Sequence, residues 1–283
     1  MTEPQEITIQ TPYHQIAARA WGPETGRKVL AVHGWLDNAA SFDLIAPLLP
    51  DLRIVAIDMP GHGRSSHRAA GVAYHFVDYV ADVIAAADGL GWQRFSFISH
   101  SLGAGVSSVV SAIQPERIEQ LVMIEGIGPY AAEANKAPEI LAASIKQMAR
   151  LGSRRTPIYP DLERMIKARV QVGDLGHASA KRLVERNSRR CEGGFSWTTD
   201  PRLTVATPLY LTEQQVFAHL GAIQAPSLLI NADQGNITSR PGIEQRYAAM
   251  ADLRIKTLPG GHHLHMESPA PVAQQIQAFM AKS

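Results

Sequence analysis

Cysteine is almost missing from this chain. Cys191 is the only one among 283 residues, so no disulfide can form within the chain, and a reducing, cytoplasmic setting is the expectation. Long apolar runs are missing too. Nothing approaches the ~20 continuous apolar residues of a membrane span, and the first residues, Met1 to Glu6, lack both the basic and the apolar region of a secretory signal. Charge of one sign is scarce: the formal net charge is +1, which argues against a general nucleic-acid partner. No internal repeat or low-complexity tract is found. The chain does have enough apolar residues, 45% of the total, for one large core or for a core with an insertion.

Short β-rich apolar runs alternate with helical stretches. Segments 7–10 and 14–21 read as an edge hairpin turning at Thr11-Pro12-Tyr13. Segments 28–32, 53–57, 94–98 and 118–124 read as strands covered on both faces. Between them, 41–49, 74–90 and 104–114 read as helices, the last ended by Pro115. This order predicts an α/β architecture with a doubly wound, mostly parallel sheet. The alternation breaks over 130–211, which is helical, polar and basic, with an excess of about six positive charges. That span reads as a helical cap inserted into a core made of 1–129 and 212–283. Its charge fits solvated helix faces, and attraction of anionic substrates is the sharper alternative. Strands resume at 226–230 and 253–258, and a helix is expected over about 271–282.

The most informative stretch is Ser99-His100-Ser101-Leu102-Gly103. A buried strand leads into it and a helix leads out. A serine on so sharp a turn resembles the nucleophile elbow of the α/β-hydrolases. The strained backbone requires small residues two before and two after the serine. With Ser101 as nucleophile those are Ser99 and Gly103, a mild departure from the usual pair of glycines.

A hydroxyl needs a base at neutral pH. The run Gly261-His262-His263-Leu264-His265-Met266-Glu267 follows the last strand, where the resemblance places the catalytic histidine. His262, directly after Pro259-Gly260-Gly261, is the candidate, and His263 and His265 are read as pocket wall or packing. No H-E-x-x-H spacing accompanies these histidines, so neither metal nor cofactor is expected. The acid has two candidates. The usual position, after the strand that follows the cap, falls on Gly235, with Asp233 two residues early. Glu125 instead ends the strand 118–124, where catalytic groups gather in such sheets, and a carboxylate there is costly without a partner. Glu125 is preferred and Asp233 is the alternative. His33-Gly34-Trp35 matches the oxyanion loop of these hydrolases, which makes the backbone N–H groups of Trp35 and Leu102 the candidate donors. The run Asp58-Met59-Pro60-Gly61-His62-Gly63-Arg64-Ser65 is read as scaffolding.

In chain order these motifs resemble the α/β-hydrolase superfamily. The runs His33 to Ala39, Ser41-Phe42-Asp43, Ser65-Ser66-His67, Gly71 to Tyr74 and Asp200-Pro201-Arg202-Leu203 are similar to the serine-hydrolase-like (kraken-type) proteins. In that group, and in the haloalkane dehalogenases, an acid ends the pre-cap strand, which matches Glu125; the dehalogenases use an aspartate nucleophile where this chain has Ser101. The resemblance implies a cofactor-independent serine hydrolase of small-molecule esters or thioesters. Lactone, amide or carbon–carbon hydrolysis, perhydrolysis, and a low-turnover binding module stay open.

Overall fold

The computed structural model describes residues 3–151 and 157–281. Strands β1 (Gln5–Gln10) and β2 (Gln15–Trp21) form an antiparallel hairpin. They are followed by β3 (Arg27–Val32), β4 (Leu52–Ile57), helix α1 (Phe76–Gly89), β5 (Phe95–His100), α2 (Leu102–Ile113) and β6 (Ile118–Ile124). The next segment holds α3 (Ala137–Leu151), α4 (Leu162–Gln171), α5 (His177–Arg186) and a small hairpin of β7 (Ser188–Cys191) and β8 (Gly194–Trp197). The chain closes with α6 (Glu213–Gly221), β9 (Ser227–Ala232), α7 (Ile243–Ala249), β10 (Leu253–Leu258), α8 (Leu264–Glu267) and α9 (Pro269–Met280).

Eight strands make one sheet in the order β1-β2-β4-β3-β5-β6-β9-β10. Only the β1/β2 and β2/β4 pairings are antiparallel; β4, β3, β5, β6, β9 and β10 run parallel. The period of two along each central strand explains why both faces are apolar. Leu30 and Val32 of β3, Phe95 and Phe97 of β5, and Leu121 and Met123 of β6 point into the core beside α1, α2 and α6. Val29 and Ala31, Ile98, and Val122 and Ile124 face the other way, against α9 and the segment 39–49. Each fully buried Val, Leu or Ile is worth about 1.5–3 kcal/mol. The ladder is thereby fixed in register, since a one-residue slip would exchange the two faces.

Two expectations need correction. Segment 41–49 is not one helix but two 3-10 turns, Ala39–Phe42 and Ala46–Leu48. Pro47 has no N–H to bond back to Asp43, so an α-helix cannot pass through it, and Asn38 caps the first turn by accepting from Ala40 N at 3.0 Å. The final helix begins at Pro269 and ends at Met280; Lys282, where it was expected to end, lies outside the described residues.

The segment between β6 and β9 sits over the strand ends. Met165 and Ile166 of α4 and Ala180, Leu183 and Val184 of α5 bury together with Ala40 and Met266. Arg186, at the end of α5 and 2% exposed, bonds both carboxylate oxygens of Asp58 at 2.9 and 3.0 Å and reaches Glu6 at 2.8 Å. Asp58 also accepts from Ala39 N and Arg64 N, so this carboxylate joins three separate stretches of chain. Among the described residues no helix is long and apolar enough to cross a membrane.

Candidate active site

The turn from β5 into α2 places Ser101 at φ 51, ψ −113, a conformation that a non-glycine residue adopts only when its surroundings enforce it. Close packing does so here. A side chain at Gly103 would strike the carbonyl of Val32, and one at Gly126 would come within 2.7 Å of the Ser101 carbonyl oxygen. Ser99 is tolerated because its hydroxyl is fully used: it lies 2.7 Å from Ser107 Oγ and donates to Val122 O at 3.0 Å.

His262 stands over this serine. Its Nε2 is 3.0 Å from Ser101 Oγ, and its Nδ1 is 3.1 Å from Glu125 Oε2. A carboxylate only accepts, so Nδ1 carries the ring proton and Nε2 offers its lone pair to the serine hydroxyl. Glu125 is fully buried and has φ 49. Its Oε1 accepts from Ala232 N at 2.7 Å and its Oε2 from Asn236 N at 2.9 Å, so the end of β9 and the loop after it hold the carboxylate in place. A Cβ at Gly235 would fall on the Glu125 carboxylate; the glycine leaves the space that the glutamate, arriving from β6, occupies. Asp233 goes elsewhere: its Oδ1 accepts from Gly260 N at 2.9 Å and braces the turn before His262. The His262 backbone N–H donates to Asp174 Oδ2 at 2.8 Å, a contact from the segment between β6 and β9.

The loop after β3 is built with equal care. Met59 N donates to His33 Nε2 at 3.0 Å, so Nδ1 carries the proton and donates to Gly34 O at 2.7 Å. Burial pushes His33 down to about 4, which keeps this ring neutral and the loop fixed. The Trp35 side chain is half-exposed, and its Nε1 donates to Leu203 O at 3.0 Å. Leu102 opens α2, where the first N–H groups have no partner inside the helix. His62 is buried and pushed down to about 3, and the Asp58 contacts are those of a scaffold.

Two residues near the site, Asp37 and His100, escaped the reading of the sequence. Asp37 is 1% exposed; its Oδ1 accepts from Arg169 Nη2 at 2.8 Å, and its Oδ2 lies 3.3 Å from His263 Nε2. Burial works against the Asp37 charge, yet His263, then His100 and then Arg169 hold its carboxyl well below the usual range. His100 is fully buried, with Nε2 2.9 Å from His262 O, and burial pushes it down to about 4. His265 bonds Ser41 Oγ at 2.7 Å through Nε2. A buried carboxylate two residues after Trp35 has no spacing signature, since its partners come from positions 100, 169 and 263.

Residues 28–269 match the family model described as the alpha/beta hydrolase fold. The chain belongs to the α/β-hydrolase family. Within that family this hydrolase is 33% identical to a serine hydrolase-like protein of Danio rerio, over 97% of this chain and 88% of the relative. A hypothetical protein from Pseudomonas aeruginosa of known crystal structure is 41% identical, with a TM-score of 0.94 over 99% of this chain and 100% of the other. A thioesterase domain from the curacin biosynthetic pathway superposes with a TM-score of 0.86 at 26% identity, covering 98% of this chain and 100% of that one. The α/β-hydrolase is thus similar along nearly its whole length to serine hydrolase-like proteins.

Proposed function

We propose that this protein is a serine hydrolase that cleaves carboxylic esters or thioesters of small molecules through an acyl-enzyme. The observation that carries the reading is the unbroken chain Ser101 Oγ, His262 Nε2, His262 Nδ1, Glu125 Oε2, with links of 3.0 and 3.1 Å, which are within proton-transfer reach. His262 takes the Ser101 proton as Oγ attacks the acyl carbon, and a tetrahedral oxyanion forms. The amides of Trp35 and Leu102 receive that oxyanion, and losing one such donor costs about 3 kcal/mol of transition-state stabilisation. His262 then protonates the leaving alcohol or thiol. Water, deprotonated by the same ring, releases the acid and restores Ser101. Glu125 fixes the ring tautomer and stabilises the imidazolium, a role that two backbone N–H groups prepare by holding its carboxylate.

Residues 130–211 act as a cap in this reading. A β-bridge between Ala131 and Leu211 joins the two ends of the insertion, and its contact with the backbone of His262 comes from Asp174. The similarity to a thioesterase domain favours an acyl carbonyl as the group attacked. Turnover of short-chain p-nitrophenyl esters and of an acyl thioester tests the proposal. Ser101→Ala is expected to lower kcat by ~10⁴-fold or more; equal rates for the variant and the wild type would refute it.

A further inference from the structure

Asp37, His100 and His263 form a compact buried set beside the triad, and each offers one atom of a kind that can ligate a metal ion. One ligand atom from each lies within 4.8 Å of the other two. The carbonyl oxygen of His262 can only accept, so the bond from His100 Nε2 at 2.9 Å puts the ring proton on Nε2. His100 Nδ1 therefore presents a lone pair, in a fully buried ring, with no hydrogen-bond partner. It points toward Asp37 Oδ2, 3.5 Å away. Nδ1 and Oδ2 are then two acceptors facing each other in a buried site, Oδ2 already meeting the His263 ring, and one shared cation would satisfy both. His263 Nε2 is 3.3 Å from the same oxygen. Around a tetrahedral Zn²⁺ with bonds of about 2.0–2.1 Å, neighbouring ligand atoms lie ~3.3 Å apart; the two separations from Asp37 fit this, and the two ring nitrogens lie within 4.8 Å of each other.

The surroundings of His100 and Asp37 fit as well, while His263 Nδ1 is buried without a partner. Metal-bound histidines commonly donate their second ring N–H to a backbone carbonyl, and metal-bound carboxylates are themselves hydrogen-bonded. His100 does the first through His262 O, and Asp37 Oδ1 does the second by accepting from Arg169 Nη2 at 2.8 Å. A Cβ on Gly34 would come within 2.9 Å of His100 Nδ1 and 3.0 Å of Asp37 Oδ2, so the absence of a side chain there keeps these two atoms uncovered. His265 is not part of the set, because its Nε2 is taken by Ser41 Oγ.

We propose that Asp37 Oδ2, His100 Nδ1 and His263 Nε2 form a binding site for one divalent transition metal of the Zn²⁺ class. On binding, the His263 ring proton moves from Nε2 to Nδ1. The ion then clamps together the strand that carries Ser101, the loop that carries Trp35 and the turn that carries His262. The ion takes no part in the acyl-transfer steps themselves, and the test of the site needs no substrate.

Chelator-treated full-length protein is titrated with Co²⁺ and followed by the visible bands of the tetrahedral ion, with Zn²⁺ as competitor. One Co²⁺ per chain is expected, displaced by Zn²⁺, with two paramagnetically shifted imidazole N–H resonances from His100 and His263. His263→Gln and Asp37→Asn are expected to lose the bands. His262→Gln and the surface variant His177→Gln are expected to keep them. Bands that survive His263→Gln, or that vanish with His262→Gln, overturn the site, as does a wild-type protein that gains no bands and holds the cluster by hydrogen bonding alone. The count of shifted resonances is read on the wild type, so the test stands even where a cluster variant does not fold.

Discussion

Two sets of histidines touch each other above the sheet, and their situations are opposite. The His262 side chain is 17% exposed and has both ring nitrogens engaged, one by a hydroxyl and one by a carboxylate. His100 and His265 are fully buried, and each leaves Nδ1 without a partner; burial pushes His100 down to about 4 and His265 well below the ordinary imidazole range. Ring centroids of His100 and His262 are only 4.7 Å apart. Proximity in sequence and in space therefore does not assign the role. In the proposed reaction the role goes instead to the ring that faces the serine and has a carboxylate on its far nitrogen.

The sharpest way to break that contrast is a reciprocal pair of variants. His262→Gln is expected to lower kcat by ~10⁴-fold or more while thermal stability stays near wild type. His265→Leu strands the buried Ser41 hydroxyl, which costs about 1–3 kcal/mol of stability, and leaves kcat within about threefold, as for changes outside the reacting groups. Ester turnover and thermal denaturation of both proteins check the pair; a large rate loss in His265→Leu would dissolve the distinction.

A second comparison moves the acid. Glu125→Gly removes the carboxylate at a position whose φ of 49 suits glycine, and it is expected to reduce kcat by ~10³–10⁴-fold. Adding Gly235→Asp directs a new carboxylate into the same space and is expected to recover at least about tenfold of that loss. No recovery, with the double variant folded, would mean that the acid acts only from β6.

A smaller effect concerns pH. Burial holds His33 at about 4 and His62 at about 3, below an ordinary 6.5. In the unfolded chain these rings take up protons as the pH falls through 6.5, whereas the folded protein keeps them neutral. Their contribution is therefore intact above 6.5 and is lost progressively as the pH falls toward the folded values. Asp82, raised by burial to about 6 from 3.8, works in the opposite direction over its own window, but one carboxyl is outweighed by two rings. The Tm is expected to fall between pH 7 and pH 4.5, and a flat or rising Tm would contradict this account of the buried rings.

Much of the molecule was legible in the sequence, for a physical reason: strands covered on both faces must be apolar throughout, as in Leu121-Val122-Met123-Ile124, and the serine turn tolerates only small neighbours such as Ser99 and Gly103. Gly235 was also informative, because a residue without a side chain at the usual acid position required the carboxylate to come from elsewhere. What stayed hidden depends on long-range meetings. Asp37 with Arg169, Asp58 with Arg186 and the backbone of His262 with Asp174 join segments 88 to 132 residues apart, and no local pattern records them. The 3-10 turns over 39–48 were readable from Pro47, whose missing N–H outweighs the helical spacing around it.

The account rests on Ser101 being an activated nucleophile. Labelling with a fluorophosphonate probe, followed by peptide mass mapping, tests that directly. One adduct per chain on Ser101, lost in His262→Gln, is the expected result; an unlabelled Ser101 in folded wild-type protein would contradict it.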